Sequence, residues 1–175
     1  MNVILLVGLC AAVIASGLGF AALTADRATD RSLGDLLSLP VAASETIYAG
    51  SLVCVDTDGY AVAAADTSGY IFMGVATEQA DNSGGSDGDV HVTVYRRGRF
   101  RFGWQGYGLT QAAVGDLAYV VDDQTLDAPD DTTNDVLVGQ ITKIEGTDEV
   151  WVDIDEGCRH GGGDWTEPTT TTAGA

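Results

Sequence analysis

From Leu36 onward, apolar residues alternate with polar ones in short segments, and turn residues interrupt the alternation about every ten positions. This period of two is typical of strands that bury one face. Asp58-Gly59 separates two such segments and predicts a tight hairpin, because glycine supplies the positive φ that the turn needs. The sequence therefore predicts an all-β domain, a compact antiparallel β-barrel or sandwich, with a hydrophobic N-terminal helix and a flexible C-terminal tail.

The alternation also predicts which positions form strands and which side chains form the core. Arg99 and Arg101 are expected on one face of a strand, with Phe100 and Phe102 on the other, and Gly98 just before them is expected to continue the strand or to form a bulge. The predicted strands are residues 52–55, 60–64, 70–76, 90–95, 99–102, 117–121, 137–144 and 150–154. The core candidates are Val92, Val94, Phe100, Phe102, Tyr119, Val121, Ile141, Trp151 and Ile154.

The two ends differ from the middle in composition, so we divide the chain into four segments. They are a hydrophobic N-terminal segment 1–24, an extended arm 25–39, a β domain 40–156 and a Gly/Thr-rich tail 157–175. The tail carries Trp165 as its one large apolar group, which is too little buried surface to offset the entropy of ordering it.

Residues 3–23 form an apolar run of 21 residues without a charge. As a helix, this run has the length to span a hydrocarbon core of roughly 30 Å. Three interpretations stay open: a helix in contact with a membrane, a helix buried between protein subunits, and a cleaved or misassigned start.

The charge balance is strongly acidic, with 26 Asp and Glu against 8 Lys and Arg and a formal net charge of −18. Such a field repels a phosphate backbone, so nucleic acid is not an expected partner. Two origins of the acidity stay open. One is a halophilic host whose high internal salt screens the repulsion, and the other is that the charge keeps an exposed protein soluble.

Catalytic and redox motifs are absent from the sequence. His91 and His160 are the two histidines, and neither lies in a nucleophile or metal motif. Cys10, Cys54 and Cys158 are odd in number and scattered, so no disulfide framework is predicted, and Cys54 is expected to be a small buried hydrophobe. We therefore predict no enzymatic activity and no cofactor.

A glycine-rich loop carries Asp81, Asp87 and Asp89. Carboxylates on a flexible backbone are ligands that suit Ca²⁺, but the spacing is not that of an EF-hand. A solvated loop is the favoured interpretation and a Ca²⁺ site is the alternative.

Half of the basic residues are concentrated within six positions, at Arg96, Arg97, Arg99 and Arg101. We predict that these arginines form an interface, because a cationic stripe on an anionic chain attracts acidic loops of another copy or of an acidic partner protein. The alternative is pairing with carboxylates of the same chain.

Several segments, in this order, resemble small bacteriophage head proteins of the capsid-decoration family. They are ALTADR at residues 22–27, PVAASETIYAGSLV at 40–53, DNSGG at 81–85, RRGRF at 96–100, YVVDDQT at 119–125 and VWVDI at 150–154. The resemblance implies a structural protein of the virion, located on the capsid surface, with the major capsid protein as partner and a homo-oligomer as the assembled form. The competing expectation is a membrane-anchored surface or pilin-like filament subunit in the cell envelope, with its β domain facing outward.

Overall fold

The computed structural model of the chain describes residues 33–106 and 108–160. The predicted hydrophobic segment 1–24, the first part of the arm and the tail beyond residue 160 lie outside the described residues. The strands are β1 Leu36–Pro40, β2 Thr46–Ile47, β3 Leu52–Val55, β4 Ala61–Ala63, β5 Ile71–Ala76, β6 Ala80–Asp81, β7 His91–Tyr95, β8 Arg99–Trp104, β9 Leu117–Val120, β10 Thr125–Asp127, β11 Leu137–Glu145 and β12 Glu149–Asp153. A short helix, α1, covers Asp155–His160, and 3₁₀ turns cover Gln111–Ala113 and Pro129–Asp131.

The strands form an open sheet and a small closed barrel. The sheet is antiparallel with the order β1-β7-β5-β3-β4, and β2 pairs with β6 beside it. The barrel has the order β10-β8-β12-β11-β9, and its pairs are antiparallel except for β10 with β8. The prediction of a mainly antiparallel β protein is confirmed.

The hairpin predicted at Asp58-Gly59 joins β3 to β4. Gly59 has a φ of +87°, a value that glycine adopts without strain. Oδ1 of Asp56 accepts hydrogen bonds from the backbone N–H groups of Asp58 and Tyr60, both at 2.9 Å. This side chain satisfies the donors of the turn and so holds the hairpin closed.

Two hydrophobic clusters fill the interior. Along β3, Leu52 and Cys54 belong to the cluster that continues into the barrel, whereas Val53 between them belongs to the cluster on the other face of the sheet. Phe72 and Leu126 are fully buried in the first cluster. The sheet therefore packs on both faces.

Most predicted core residues are buried, and two of the exceptions share one cause. Val92, Val94, Phe102, Ile141 and Ile154 are at most 6% exposed, which confirms those predictions, and Phe100 packs against the core while partly buried.

Trp151, Tyr119 and Val121 are only partly buried, and their assignment to the core is wrong. In β12 the buried positions are Val150 and Val152, so the alternation points Trp151 outward. In β9 they are Ala118 and Val120, with Tyr119 between them facing out.

The β domain extends beyond the predicted limits of 40–156 at both ends. Residues 36–39, predicted as part of the arm, lie in β1 and pair with β7. Residues 157–160, predicted as tail, lie in α1, which packs on β11. Gly157 permits this approach, because a Cβ there would lie 2.1 Å from the carbonyl oxygen of Val138.

Candidate attachment surface

The four arginines of the predicted interface lie in two places. Arg96 and Arg97 occupy the turn between β7 and β8, where Gly98 has a φ of +117°. Arg99 and Arg101 are exposed on β8. The phenylalanines on the opposite face of this strand point inward, as predicted.

Arg96 has a structural role. Its side chain is partly buried, and Nη2 donates a hydrogen bond to the carbonyl oxygen of Cys158 in α1. Its backbone N–H donates to the carbonyl oxygen of Asp35 at 3.0 Å. These bonds tie the β7–β8 turn to α1 and to the residue before β1, so Arg96 stabilises the domain from within.

Arg97 forms an exposed ion pair with Asp35. Nη1 of Arg97 and Oδ1 of Asp35 are 3.3 Å apart, and both side chains are more than half exposed. Exposed pairs of this kind contribute roughly 0–1 kcal/mol. Arg97 therefore has a partner in its own chain.

Arg99 and Arg101 belong to a larger surface on the outside of the barrel, which we call the barrel face. In the strand register Arg101 lies opposite Trp151, and Trp151 lies opposite Lys143. The indole is thus flanked by a cation on each side. The members of the barrel face are Arg99, Arg101, Lys143, Glu145, Glu149, Trp151 and Asp153.

Hydrogen bonds and ion pairs hold Trp151 in place. Its Nε1 donates to Oε2 of Glu145 at 3.2 Å, and Nζ of Lys143 contacts the same oxygen. These two donors hold the pKa of the exposed Glu145 carboxyl below its usual range, and the hydrogen bond from Lys143 has the larger effect. Arg101 Nη1 lies 3.5 Å from Oε2 of Glu149. The hydrogen bond restrains the indole, whereas the exposed ion pairs restrain the two cations only weakly.

Arg99 remains available on the same face. Among the described residues, no carboxylate oxygen lies within 4.0 Å of its guanidinium nitrogens. Together with Thr142, Lys143 and Trp151 it lines a cleft of about 440 Å³. A guanidinium beside an aromatic wall is suited to a carboxylate or an apolar group of a partner.

The barrel face is electrically balanced, which sets it apart from a chain with a net charge of −18. It holds three cations, Arg99, Arg101 and Lys143, and an equal number of carboxylates. Another acidic surface is therefore repelled less here than by the chain as a whole.

The sequence did not reveal that Lys143 and Trp151 join the arginines. They belong to β11 and β12, and only the strand order of the barrel makes these neighbours of β8. A usable signal existed for Trp151, because strict alternation around Val150 and Val152 already points it outward.

The loop around Asp81, Asp87 and Asp89 uses its carboxylates to hold its own backbone. Asp87 Oδ1 accepts the N–H of Ala43 at 2.7 Å, and Asp89 Oδ2 accepts that of Ser86 at 2.8 Å. Hydrogen bonds from Ser83, and then from Thr46, lower the pKa of Asp81. No group of three or more His, Cys, Asp or Glu side chains gathers to hold a metal within residues 33–106 and 108–160.

The remaining reactive residues are placed as follows. His91 is exposed on β7. Cys54 is buried, as predicted, and burial raises the pKa of its thiol to about 12. Burial also raises the pKa of Cys158 to about 11. Both thiols are therefore protonated at neutral pH and unsuited to act as nucleophiles.

Comparisons with protein-family models, with curated proteins and with solved structures find no match to this chain. No helix in the described part of the chain combines the length and the apolar character that crossing a membrane requires.

Proposed function

We propose that this protein is a virion structural protein that binds the outer surface of an icosahedral capsid and stabilises it. Its partners are the major capsid protein and further copies of itself. The proposal takes its class from the resemblance to capsid-decoration proteins, and two of the resembling segments occupy framework positions of the fold. Residues 40–53 run from the end of β1 to β3, and residues 150–154 include most of β12.

The observation that carries the attachment surface is the balanced charge of the barrel face around Trp151. Tryptophan and arginine are the residue types that most often dominate the binding energy of protein interfaces. The hydrogen bond from Trp151 Nε1 to Glu145 restrains the indole, so less rotamer entropy is lost on binding. A capsid protein with a carboxylate and an apolar group would meet Arg99 and the indole together.

The experiment is co-sedimentation of the protein with purified empty shells at two salt concentrations. The test variant is Arg99→Ser combined with Arg101→Ser. The control is Arg97→Ser, which removes an exposed arginine of the β7–β8 turn that already pairs with Asp35. We expect the double variant to bind more weakly, with the larger loss at low salt, and the control to bind like the parent. Equal binding of all three proteins would eliminate the barrel face as the attachment surface.

A second candidate function is a membrane-anchored surface or pilin-like filament subunit of the cell envelope. The observation that favours it is the uncharged run at residues 3–23, which has the length of a membrane-spanning helix. Imaging of purified particles and of cell envelopes separates the two candidates. Copies on a capsid lattice support the decoration protein, and copies confined to an envelope or a filament support the alternative.

A further inference from the structure

A second cleft, of about 460 Å³, lies at the barrel beside β9. Its walls include the side chains of Trp104, Leu117 and Tyr119, all partly exposed. The two 3₁₀ turns contribute Ala113 and Pro129. The cleft therefore has two aromatic side chains and several apolar contacts within one concave surface, as ligand sites commonly have.

The frame of this cleft is fixed by backbone hydrogen bonds. The N–H of Gly115 donates to the carbonyl oxygen of Ile141 at 2.8 Å, and the N–H of Ile141 donates to that of Asp116 at 2.9 Å. The loop between the first 3₁₀ turn and β9 is thus attached to β11. Because the walls are attached in this way, little ordering is needed when a ligand binds.

Two carboxylates give the cleft a negative charge. Asp116 is exposed at the rim and is part of the lining, and Asp127 is buried directly behind the wall, one residue before Ala128. A Cβ on Gly106 would lie 2.3 Å from Oδ1 of Asp127 and 2.7 Å from Nε1 of Trp104, so the buried carboxylate and the indole edge are neighbours. Among the described residues, the lining includes no Lys or Arg.

Burial raises the pKa of Asp127, and the negative charge of Asp131 raises it further. The hydrogen bond from the N–H of Ala128 lowers this pKa and offsets part of the rise. A cation that approached the wall would favour the charged carboxylate and lower this pKa. The buried carboxylate thus senses the charge of whatever occupies the cleft.

We propose that this cleft binds a cationic side chain, arginine or lysine, presented by a segment of a partner protein. The faces of tryptophan and tyrosine attract cations, and neighbouring carboxylates strengthen this attraction. The field of a chain with a net charge of −18 acts in the same direction. A neutral saccharide would also stack on aromatic rings, but it would gain nothing from this charge. The inference does not depend on capsid attachment.

The test is an NMR titration of the full-length, ¹⁵N-labelled protein with the peptide Ac-Gly-Arg-Gly-NH₂. The matched control peptide carries citrulline, which has nearly the shape of arginine without its charge. Maltotriose serves as the saccharide probe. The full-length chain has three tryptophans, of which Trp104 and Trp151 line the two clefts. Their indole N–H signals report on the two clefts separately, and Trp104→Phe and Trp151→Phe variants identify them.

We expect the arginine peptide to shift the Trp104 signal while that of Trp151 stays in place. The citrulline peptide should bind about fivefold more weakly or not at all. Asp116→Asn should weaken binding of the arginine peptide about two- to threefold, whereas Asp58→Asn, on the exposed β3–β4 hairpin, should leave it unchanged. Binding should also lower the pKa of Asp127, measured from its carboxyl ¹³C shift.

Four results would overturn the proposal. The first is that the Trp104 signal does not shift up to the solubility limit of the arginine peptide, and the second is that the citrulline and arginine peptides bind equally well. The third is that maltotriose binds and the arginine peptide does not. The fourth is that the Trp151 signal shifts in place of the Trp104 signal. Failure of the capsid experiment would leave the outcome of this titration unaffected, since the two experiments probe different clefts.

Discussion

Replacing two neighbouring residues of β12 by glutamine tests whether Trp151 faces outward, on which the barrel face depends. The variants are Trp151→Gln and Val152→Gln. Val152 is fully buried, whereas Trp151 is partly exposed and contacts Glu145 through its indole N–H. The two changes introduce the same side chain one position apart, on opposite faces of one strand.

The structure predicts very different costs. Trp151→Gln loses part of the surface of a large ring and one hydrogen bond at the protein surface, about 1–2 kcal/mol, because the glutamine stem covers some of the same area and its amide reaches water. Val152→Gln places a longer side chain and an unpaired amide in a closed core. Overpacking and desolvation together cost about 3–6 kcal/mol.

The assay is urea unfolding followed by far-ultraviolet circular dichroism, which does not depend on tryptophan as a reporter. A domain of this size has a free energy of unfolding of roughly 5–15 kcal/mol, so Val152→Gln should lower the midpoint strongly or unfold the protein. Equal losses, or a greater loss for Trp151→Gln, would mean that β12 presents its other face to the core, and the barrel face would no longer exist as described.

Three further predictions concern backbone packing, a turn and a buried carboxylate. Gly139→Ala should lower the free energy of unfolding by about 2–3 kcal/mol or more, because its Cβ would lie 2.0 Å from the carbonyl oxygen of Asp153. Gly84 lies in open space, so Gly84→Ala should change the free energy of unfolding by less than about 0.5 kcal/mol. Similar urea midpoints for the two variants would contradict this packing. Asp56→Ala should cost about 1–2 kcal/mol through two lost hydrogen bonds, with Asp58→Ala as the milder control in the same thermal melts. Asp127→Asn should gain stability relative to the parent as the pH rises. The folded-state pKa of Asp127 lies above the unfolded one, so this carboxyl favours folding at low pH and disfavours it once it must ionise. A difference in unfolding free energy that is the same at about pH 3 and about pH 7 would refute this.

Local patterns predicted the faces of strands well wherever alternation was followed strictly. Arg99 and Arg101 point outward and Phe102 inward, as the alternation requires. The hairpin at Asp58-Gly59 could be predicted equally well, because one glycine with positive φ determines it. These features depend on neighbours in sequence, so the sequence carries them directly.

Side-chain size was the misleading signal for the core. Trp151 and Tyr119 were assigned to it as large aromatic residues, although each stands between two smaller residues that fill the interior. The period of two outweighs the size of a single residue, because one strand cannot bury adjacent side chains on the same face.

Long-range pairing was beyond the reach of sequence patterns. The three-residue strand β10 pairs in parallel with β8, an arrangement without a local signature. The helix α1 was missed because the composition of residues 157–175 indicated a flexible tail, whereas Gly157 in fact allows close packing on Val138. The same limit hid Lys143 and Trp151 from the candidate site, since β12 becomes a neighbour of Arg101 only through its pairing with β8.

The most direct test of the proposed function is a density map of purified virus particles at a resolution that orients this domain. We predict copies of the all-β domain on the outside of the capsid lattice, with the barrel face around Arg99, Arg101 and Trp151 toward the major capsid protein or a neighbouring copy. Particles whose lattice carries no such domain would contradict the proposal of a decoration protein. A domain bound with the barrel face toward solvent would contradict the attachment surface.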